Sequence, residues 1–466
     1  MTLCREDALY GRRRLRKTVV AVFSVAVLAS AACSRSNSGS GGSPSETASK
    51  TSAPTSSAAA GSFGTAQKVC APGSGTGGSG RGIAGKTIRV GVMADPGSTA
   101  APGLGQEFFD VADAFAKWCN AAGGINGRTI VVDKLDAKLF NVGQQVITAC
   151  QRDFMLVGGG NGLDASGVQP RLNCKLGQIP GYVVSPQAAA AGLQVTPIIS
   201  TPDKYQAGVL RLLAAAYPSS QPAFGIAGSA LSSLAPQGLR AREAWQRMGY
   251  KVVAVQPRPA LVDNYRSWIE QFKSVGAKAD FEGTATNAQP ILTAIKDTGW
   301  NPAFILYGQT IYNPKTVEAA KNLGTFPASY INLGNLPWEV ADQYPVVQQA
   351  KSIMQASMSN PQYDSFTSLG FNAWVLWAQS ATACGDNLTQ DCVLQKAGSQ
   401  TAWTAGGLFP PVNLNPALKD YSPCTVIMRL TTSGWVVDKQ VTKPTDGIYN
   451  CDPKNLMKVK SYESGS

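Results

Sequence analysis

The stretch from residue 106 to residue 136 decides the fold and reads "QEFFDVADAFAKWCNAAGGINGRTIVVDKLD". Its apolar residues between Phe108 and Ala122 recur at helical spacing, which predicts an amphipathic helix. Gly123 and Gly124 are expected to end this helix, because glycine adopts the left-handed backbone conformation without strain. The following Asn-Gly pair favours a tight turn, and the β-branched run after it favours a strand.

The same order of elements recurs along the chain. A strand-like run, "KTIRVGVM", precedes the helix from Lys86, and two parallel strands need such a helical crossover. Farther on, four helix-like segments each end in glycine before a strand-like run. These glycines are Gly249, Gly276, Gly299 and Gly324. From about Leu408 the strands become shorter, in "CTVIMRL" and "GWVVDKQ". The pattern predicts an α/β protein with doubly wound parallel sheets.

The N-terminal part has the features of an export signal. Residues 1–32 combine a dense cationic run with a short apolar run, and such a segment is typical of a signal peptide. Cys33 follows small residues, as in a lipobox, so we expect it to be lipidated; ordinary signal-peptidase cleavage nearby is the alternative. Residues 33–85 are rich in Ser, Gly and Ala and are expected to form a flexible tether. The predicted location is the outer face of the cytoplasmic membrane.

The remaining chain from Lys86 is longer than one hydrophobic core usually holds, so we expect two lobes. The first is predicted to comprise 86–215 and about 336–405, and the second 216–335 and about 406–466. The formal net charge of the whole chain is +12. This charge is scattered outside the N-terminal signal, and therefore no nucleic-acid partner is expected.

Eight cysteines follow Cys33, and an even number in an exported chain indicates disulfides. Sequential pairing closes the shortest loops and is our expectation, although eight cysteines allow 105 pairings. Cys384 and Cys392 flank one polar turn, and Cys70 is the expected partner of Cys119. Zinc is the less favoured alternative, because the chain has no histidine. The eight are Cys70, Cys119, Cys150, Cys174, Cys384, Cys392, Cys424 and Cys451.

The absence of histidine also excludes Ser-His-Asp and Cys-His catalysis. The run "GRGIAGKT" (Gly80 to Thr87) satisfies the P-loop pattern, but it follows a tether and opens a strand, which is the wrong context. We therefore expect a protein that is not an enzyme and needs no cofactor or metal. A hydrolase that uses carboxylates alone, such as Asp95 or Asp136, is the less favoured alternative.

The segments "IRVGVM", "CNAAGGINGR" and "TIVVDKLDA" resemble the type I periplasmic binding proteins, in the branch that binds leucine and amides. The resemblance runs from about Lys86 to about Lys439. Members of this family are substrate-binding subunits of ABC importers. The resemblance implies two α/β lobes, joined by crossing hinge strands, that close over a ligand.

The resemblance also suggests where the ligand binds. In the family, three loops of the first lobe hold an amino acid, and here they correspond to Asp95–Thr99, Gly159–Ser166 and Ser185–Ala190. Tyr307 fits an aromatic position of the second lobe. The expected ligand-binding residues are Asp95, Ser98, Thr99, Asn161, Gly162, Gln187, Ala188, Gln237, Tyr307, Gln309 and Asn335.

These observations predict a lipid-anchored protein that captures a small polar solute and delivers it to an ABC permease and its ATPase. Asn332 and Asn335 stand where the family has an acidic residue for the ligand's amine. An amide, a small peptide or an uncharged polar molecule is therefore as acceptable as an amino acid. A ligand-sensing receptor without transport is the alternative function.

Overall fold

The computed structural model describes residues 60–75, 80–198, 203–221, 223–229, 231, 233–258, 265–418 and 421–460. The predicted signal peptide and the lipidation site at Cys33 lie outside these residues. In the part of the chain that is described, no helix is both long and apolar enough to cross a bilayer.

The first lobe is built on a five-stranded sheet. Its strands are β1 (Ile83–Ala84), β2 (Thr87–Ala94), β3 (Thr129–Asp136), β4 (Leu156–Val157) and β5 (Gln178–Ile179). The central strand β2 pairs in parallel with β3 and β4, and β4 pairs in parallel with β5, whereas β1 pairs antiparallel with β2. The helices of this lobe are α1 (Gln106–Ala121), α2 (Val142–Arg152), α3 (Ala165–Asn173), α4 (Pro186–Ala190), α10 (Pro345–Ser357), α11 (Ser365–Ala383) and α12 (Gln390–Gly398).

The second lobe is built on a seven-stranded sheet in the order β13-β12-β11-β10-β9-β7-β8. These strands are β7 (Phe224–Ser229), β8 (Val252–Arg258), β9 (Ala279–Glu282), β10 (Phe304–Tyr307), β11 (Ser329–Leu333), β12 (Val426–Thr431) and β13 (Gly434–Val437). Strands β7 to β11 pair in parallel, and β12 and β13 extend the sheet antiparallel. The helices are α5 (Gly208–Ala216), α6 (Ala235–Arg247), α7 (Arg266–Ser274), α8 (Gln289–Thr298), α9 (Pro314–Leu323) and α13 (Lys439–Thr442).

A small antiparallel sheet of β6 (Lys204–Gln206) and β14 (Leu456–Lys458) lies against the second lobe. Helix α5 also packs there, since Leu210 and Leu213 belong to the same buried cluster as Phe224 of β7. The prediction that the first lobe continues to residue 215 is therefore wrong for β6 and α5. The chain passes between the lobes before β6, after β11 and before β12, which matches the crossing segments implied by the resemblance.

The helix ends follow the glycine pattern predicted from the sequence. Helix α1 ends at Ala121, and Gly123 and Gly124 after it have φ angles of 106° and 70°. The four glycines of the second lobe that were predicted to end helices have φ angles of 90°, 72°, 62° and 72°. These backbone conformations favour glycine, so the prediction that these glycines end the helices before the next strand is confirmed.

Four disulfides join the eight cysteines sequentially, as predicted. They are Cys70–Cys119, Cys150–Cys174, Cys384–Cys392 and Cys424–Cys451.

The end of the predicted tether is part of the folded first lobe. We call residues 60–75 the N-terminal strap. Phe63 is fully buried and stacks on Phe371 of α11 with ring centroids 5.5 Å apart. Val69 is buried as well, and Cys70 is bonded to α1. The prediction of a flexible tether up to residue 85 is therefore wrong over the strap, because two apolar side chains and a disulfide fix it.

Candidate functional site

A cavity of about 420 Å³ lies between the two lobes. On the second lobe it meets the carboxyl ends of β7, β9 and β10, through Gly228, Gly283 and Gly308. Open α/β sheets bind ligands at this edge, and ligand pockets commonly have volumes of this order. The cavity is therefore the candidate ligand-binding site.

The first lobe contributes an apolar wall to this cavity, which we call the aromatic wall. Tyr182, after β5, stacks on Phe366 of α11 with ring centroids 5.6 Å apart. Phe108 of α1 lies behind both rings, at 5.7 Å from Tyr182 and 5.0 Å from Phe366. Leu104 and Val183 extend the wall. This surface suits the apolar part of a ligand.

The glycine-rich loop after β4 supports the aromatic wall. A Cβ atom on Gly160 would lie 2.3 Å from the Tyr182 ring, and one on Gly159 would lie 2.2 Å from the Met93 carbonyl oxygen. The backbone N–H of Gly160 donates to Met93, at 2.9 Å. Glycine is thus needed here for close packing.

The second lobe contributes polar groups. Gln237 and Arg240 lie one turn apart on α6 and are both half-buried. Thr284 and Thr310 follow β9 and β10, and Lys204 comes from β6, which packs on α6. The described residues that line the cavity include two cationic side chains and no Asp or Glu. Both charged side chains of the lining are therefore cationic, and the carboxylates of Asp280 and Glu282 lie buried behind it.

Two tyrosines lie near Arg240. Burial raises the pKa of Tyr205 and of Tyr421, and the positive charge of Arg240 acts in the opposite direction on both phenols. Like ordinary tyrosines, both are protonated at neutral pH, so their hydroxyl groups can donate hydrogen bonds. Both side chains line the cavity.

Four of the residues predicted from the sequence line the cavity, namely Gly162, Gln237, Tyr307 and Gln309. The hydroxyl of Tyr307 is fully buried, and burial, with the charges of Glu282 and Asp280, raises its pKa. This hydroxyl therefore does not face the cavity.

Asp95 has a different environment from the one predicted. Its carboxylate is 1% exposed and accepts hydrogen bonds from Leu139 N at 2.8 Å, Gly162 N at 3.1 Å and Asn161 Nδ2 at 3.2 Å. Burial raises its pKa, and these hydrogen bonds act in the opposite direction. Asp95 therefore holds two loops of the first lobe together, and it does not line the cavity.

The other predicted residues also lie outside the main cavity. Ser98 is buried and accepts a hydrogen bond from Ala101 N at 3.3 Å, while Thr99 and Gln187 are exposed on the surface. Two further residues, Asn161 and Ala188, line a separate small cavity in the first lobe.

Asn335 lines a side cavity of about 150 Å³, which we call the annex. The annex shares Gln206, Asn332 and Leu369 with the main cavity and therefore adjoins it. The Asn335 amide donates to Leu336 O at 2.9 Å and to Ser368 Oγ at 3.2 Å, so its amino group is already bonded within the protein.

Sequence reasoning missed Lys204, Arg240, Tyr182 and Phe366. Arg240 lies in a segment that was recognised only as a helix, and a surface arginine on a helix gives no signal of its own. Tyr182 lies in "IPGYVVSPQ", which was quoted for its family resemblance and not for its aromatic ring. The described residues contain no cluster of metal-ligating side chains.

Two α/β lobes, three crossings and a cavity at the carboxyl ends of the strands define a two-lobed solute-binding protein. A model of the periplasmic binding protein family matches residues 87–434. The chain belongs to this family, whose members bind solutes and are not enzymes. A comparison with curated protein sequences gives no match.

Solved structures with the same fold are distant in sequence. A fatty acid ABC transporter substrate-binding protein from Thermomonospora curvata is 15% identical with a TM-score of 0.64, over 85% of this chain and 99% of that one. The branched-chain amino acid transporter substrate-binding protein LivJ from Streptococcus pneumoniae, in complex with isoleucine, is 16% identical with a TM-score of 0.60, over 76% and 100% of the two chains.

A solute-binding protein of an ABC transporter from Rhodopseudomonas palustris, in complex with 3,4-dihydroxybenzoic acid, is 11% identical. Its TM-score is 0.58, over 76% of this chain and 98% of that one. At these identities the likeness shows the fold alone, and it confirms the type I periplasmic binding fold.

Proposed function

We propose that this protein is the extracytoplasmic substrate-binding subunit of an ABC importer. It captures a small organic solute between its two lobes and delivers it to the permease and ATPase. The observation that supports this function most directly is the cavity of about 420 Å³ at the junction of the lobes. Structural neighbours are described as binding a fatty acid, isoleucine or a hydroxylated benzoate, and all are ABC transporter binding proteins.

The proposed cycle uses the three crossings as a hinge. Closure of the second lobe on the aromatic wall would sequester the ligand and present a continuous face to the permease. Lipidation of Cys33 would keep the protein beside its permease. This anchor is part of the proposal and rests on the sequence "ASAAC" at the end of the apolar run.

The experiment is a thermal-shift screen of the mature chain against amino acids, amides, alkanoic acids, aromatic acids and short peptides. A ligand that binds only the folded state at 100 times its Kd adds about 2.7 kcal/mol of stability and raises the Tm by several degrees. Replacing Thr284 with tryptophan fills the cavity from its second-lobe side, so T284W should abolish the shift. Lys321→Trp is the matched control, because Lys321 is exposed on α9 outside the cavity.

A transport assay distinguishes the substrate-binding subunit of an importer from a ligand-sensing receptor without transport. Deletion of the gene should remove uptake of the ligand found in the screen, and the wild-type gene but not T284W should restore it. Uptake that persists in the deletion strain, with ligand binding intact in vitro, would favour the sensor. A wild-type protein that no solute class stabilises would contradict both.

A further inference from the structure

We infer that the annex is a second binding site, which takes a small uncharged apolar molecule about the size of benzene. The site lies among the three crossings, and a molecule bound there acts on the arrangement of the two lobes. The existence of this site does not depend on the proposed function. Only its effect on the solute in the main cavity rests on that function.

The annex is walled by all three crossings. Ile198 belongs to the crossing before β6, Asn335 to the crossing after β11, and Ser422 to the crossing before β12. Leu369 of α11 adds a wall from the first lobe, and Gln309, after β10, adds one from the second. A molecule in the annex therefore contacts all three crossings and both lobes.

Side-chain hydrogen bonds hold the wall of the annex together. The Gln206 amide, in β6 at the end of the first crossing, donates to Ser422 O at 3.2 Å and to Cys424 O at 3.4 Å on the third. The hydroxyl of Thr425 donates to the side-chain oxygen of Asn332, which joins the third crossing to the strand before the second. A wall that is already held together needs little rearrangement on binding, which favours a ligand.

The polar groups of the annex favour an uncharged ligand. The described lining has no charged side chain. The Gln206 oxygen accepts from Gly208 N at 2.9 Å, so both ends of this amide are bonded within the protein. The amino group of Asn335 is likewise bonded to Leu336 O and Ser368 Oγ. An ion would lose its hydration here without meeting a counter-charge, whereas an apolar molecule needs no such partner.

The rest of the surface and the volume set the size of the ligand. The apolar side chains of the lining are Pro197, Ile198, Leu369, Phe409, Pro410 and Val412. The volume of the annex is about 150 Å³, and an apolar cavity of this volume accommodates a molecule such as benzene. A single aromatic ring or a compact alkyl group therefore fits.

A molecule in the annex acts on the lobes because its walls belong to both. Movement of Leu369 relative to Gln309 changes the shape of the annex, so an occupant favours the arrangement in which the annex has its present volume. In this arrangement Ser365 Oγ donates to Gln309 O between the lobes, at 2.8 Å, and the main cavity is formed. Binding in the two cavities therefore favours the same arrangement, and each occupant should raise the affinity of the other by the same factor.

The first experiment measures binding of fluorobenzene to the wild-type mature chain by fluorine NMR. Fluorobenzene should bind, and toluene should displace it. Benzoate and benzylammonium have a similar size but carry a charge, so each should need at least a tenfold higher concentration than toluene to displace the probe.

The second experiment places the probe in the molecule. Gly334 lines the annex but not the main cavity, and a Cβ atom on it meets no heavy atom within 4 Å. Gly334→Leu should therefore occupy the annex and weaken fluorobenzene binding at least tenfold. Gly192→Leu is the matched control, because Gly192 is exposed, has equally open space at its Cβ position and lines neither cavity.

Two further variants complete this experiment. Thr284→Trp fills the main cavity from its second-lobe side and should leave fluorobenzene binding in place, because Thr284 does not line the annex. If Gly334→Leu does not fold, Val412→Phe narrows the annex from its first-lobe side, since Val412 lines the annex and not the main cavity.

The third experiment tests the action on the lobes, with the solute found in the thermal-shift screen. Saturating fluorobenzene should raise the affinity of the wild-type protein for this solute about fivefold, and should not change it in Gly334→Leu. Titration calorimetry with and without the probe measures this factor. An unchanged solute affinity in the wild-type protein would overturn the action on the lobes.

The outcomes separate this inference from the proposed function. Fluorobenzene that does not bind, or that binds Gly334→Leu as tightly as Gly192→Leu, overturns the second site and leaves the function in place. Loss of the probe in Thr284→Trp, or its displacement by the solute, assigns the probe to the solute's own site and also overturns the inference. Probe binding that is lost only when the annex is filled supports the second site, even if no solute binds the main cavity.

Discussion

The two lobes share one architecture but differ in how they are held together and in what they offer a ligand. Three of the four disulfides lie within the first lobe. The fourth, Cys424–Cys451, lies at the start of β12, where the chain enters the second lobe. The first lobe faces the cavity mostly with aromatic and aliphatic side chains, whereas the second adds amides, hydroxyls and cations to apolar side chains such as Leu234 and Phe281.

This difference indicates that the two lobes contribute different properties to the site. A cross-linked lobe with an apolar wall gives a stable surface of low chemical specificity. The second lobe brings the polar groups, which discriminate between ligands because an unmatched buried charge or hydrogen-bond donor is unfavourable. Specificity is therefore expected to change through substitutions on the second lobe.

The largest expected effect comes from opening the longest disulfide loop of the first lobe. The double variant Cys70→Ala, Cys119→Ala removes a cross-link between residues separated by 49 positions. We expect it to lower the free energy of unfolding by about 4 kcal/mol, through the greater chain entropy of the unfolded state. Urea unfolding of the oxidised protein measures this difference.

The matched control is the double variant Cys384→Ala, Cys392→Ala, whose loop spans only 8 positions. Its expected loss is about 2.5 kcal/mol by the same loop-entropy relation. A larger loss for this short loop than for the 70–119 loop would contradict the view that the strap disulfide stabilises the first lobe most.

The next effect concerns Asp95, which the sequence suggested as a ligand-binding residue. Asp95→Ala leaves the buried N–H group of Leu139 and the part-buried N–H group of Gly162 without their acceptor, and we expect a loss of about 3 kcal/mol in unfolding free energy. Asp136→Ala is the control, because the Asp136 carboxylate accepts its hydrogen bonds at exposed positions. A variant at Asp95 with wild-type stability and no ligand binding would restore the ligand-binding role.

The first lobe should also make stability depend on pH. Burial, with nearby carboxylates, raises the pKa of Glu107 to about 8, of Asp153 to about 7 and of Asp364 to about 6. These groups hold their protons more tightly folded than unfolded, so the unfolding free energy falls as pH rises from about 4 to 8. One such group contributes a slope of up to about 1.4 kcal/mol per pH unit.

Thermal melts between pH 5 and pH 8.5 check this dependence, and the expected Tm is higher at pH 5. Asp153→Asn removes one buried carboxyl and should flatten the profile and stabilise the protein at pH 8. A Tm that rises between pH 5 and pH 8 would show that these carboxyls are charged in the folded protein.

The smallest effect tests a contact between the lobes. The hydroxyl of Ser365, at the start of α11, donates to the backbone oxygen of Gln309 after β10, at 2.8 Å. Ser365→Ala should lower the unfolding free energy by about 1 kcal/mol and weaken ligand binding slightly. Ser352→Ala is matched, because this exposed serine on α10 donates to the Gln348 oxygen at 2.9 Å within one lobe. An equal response of both variants in ligand affinity would show that the interlobe contact has no separate role.

The fold was predictable because its signals are local. A helix that ends in glycine and is followed by a β-branched run can be read from a few neighbouring residues, as at Gly249 or Gly299. The disulfides were predictable for the same reason, since each pair is also adjacent in the order of cysteines. The end of the tether was not predictable, because it depends on a distant contact. Phe63 packs on Phe371, which lies about 300 positions farther along the chain.

The site was less predictable because its residues gain their role only from the assembled lobes. Arg240 belongs to a helix with many other charges, and only the position of α6 against β6 makes it a cavity residue. A carboxylate in a loop, such as Asp95, binds backbone N–H groups as readily as a ligand. The sequence alone does not distinguish these two partners.

The strap determines how a mechanical load enters the molecule. Its side chains and backbone contact α1, α10 and α11, and Cys70 joins it covalently to α1 of the first lobe. A force applied to the chain before residue 60 is therefore transmitted to the first lobe through a covalent bond. From residue 60 to the first lobe, the described chain includes none of the three crossings, so the proposed anchor at Cys33 would hold the protein by its first lobe.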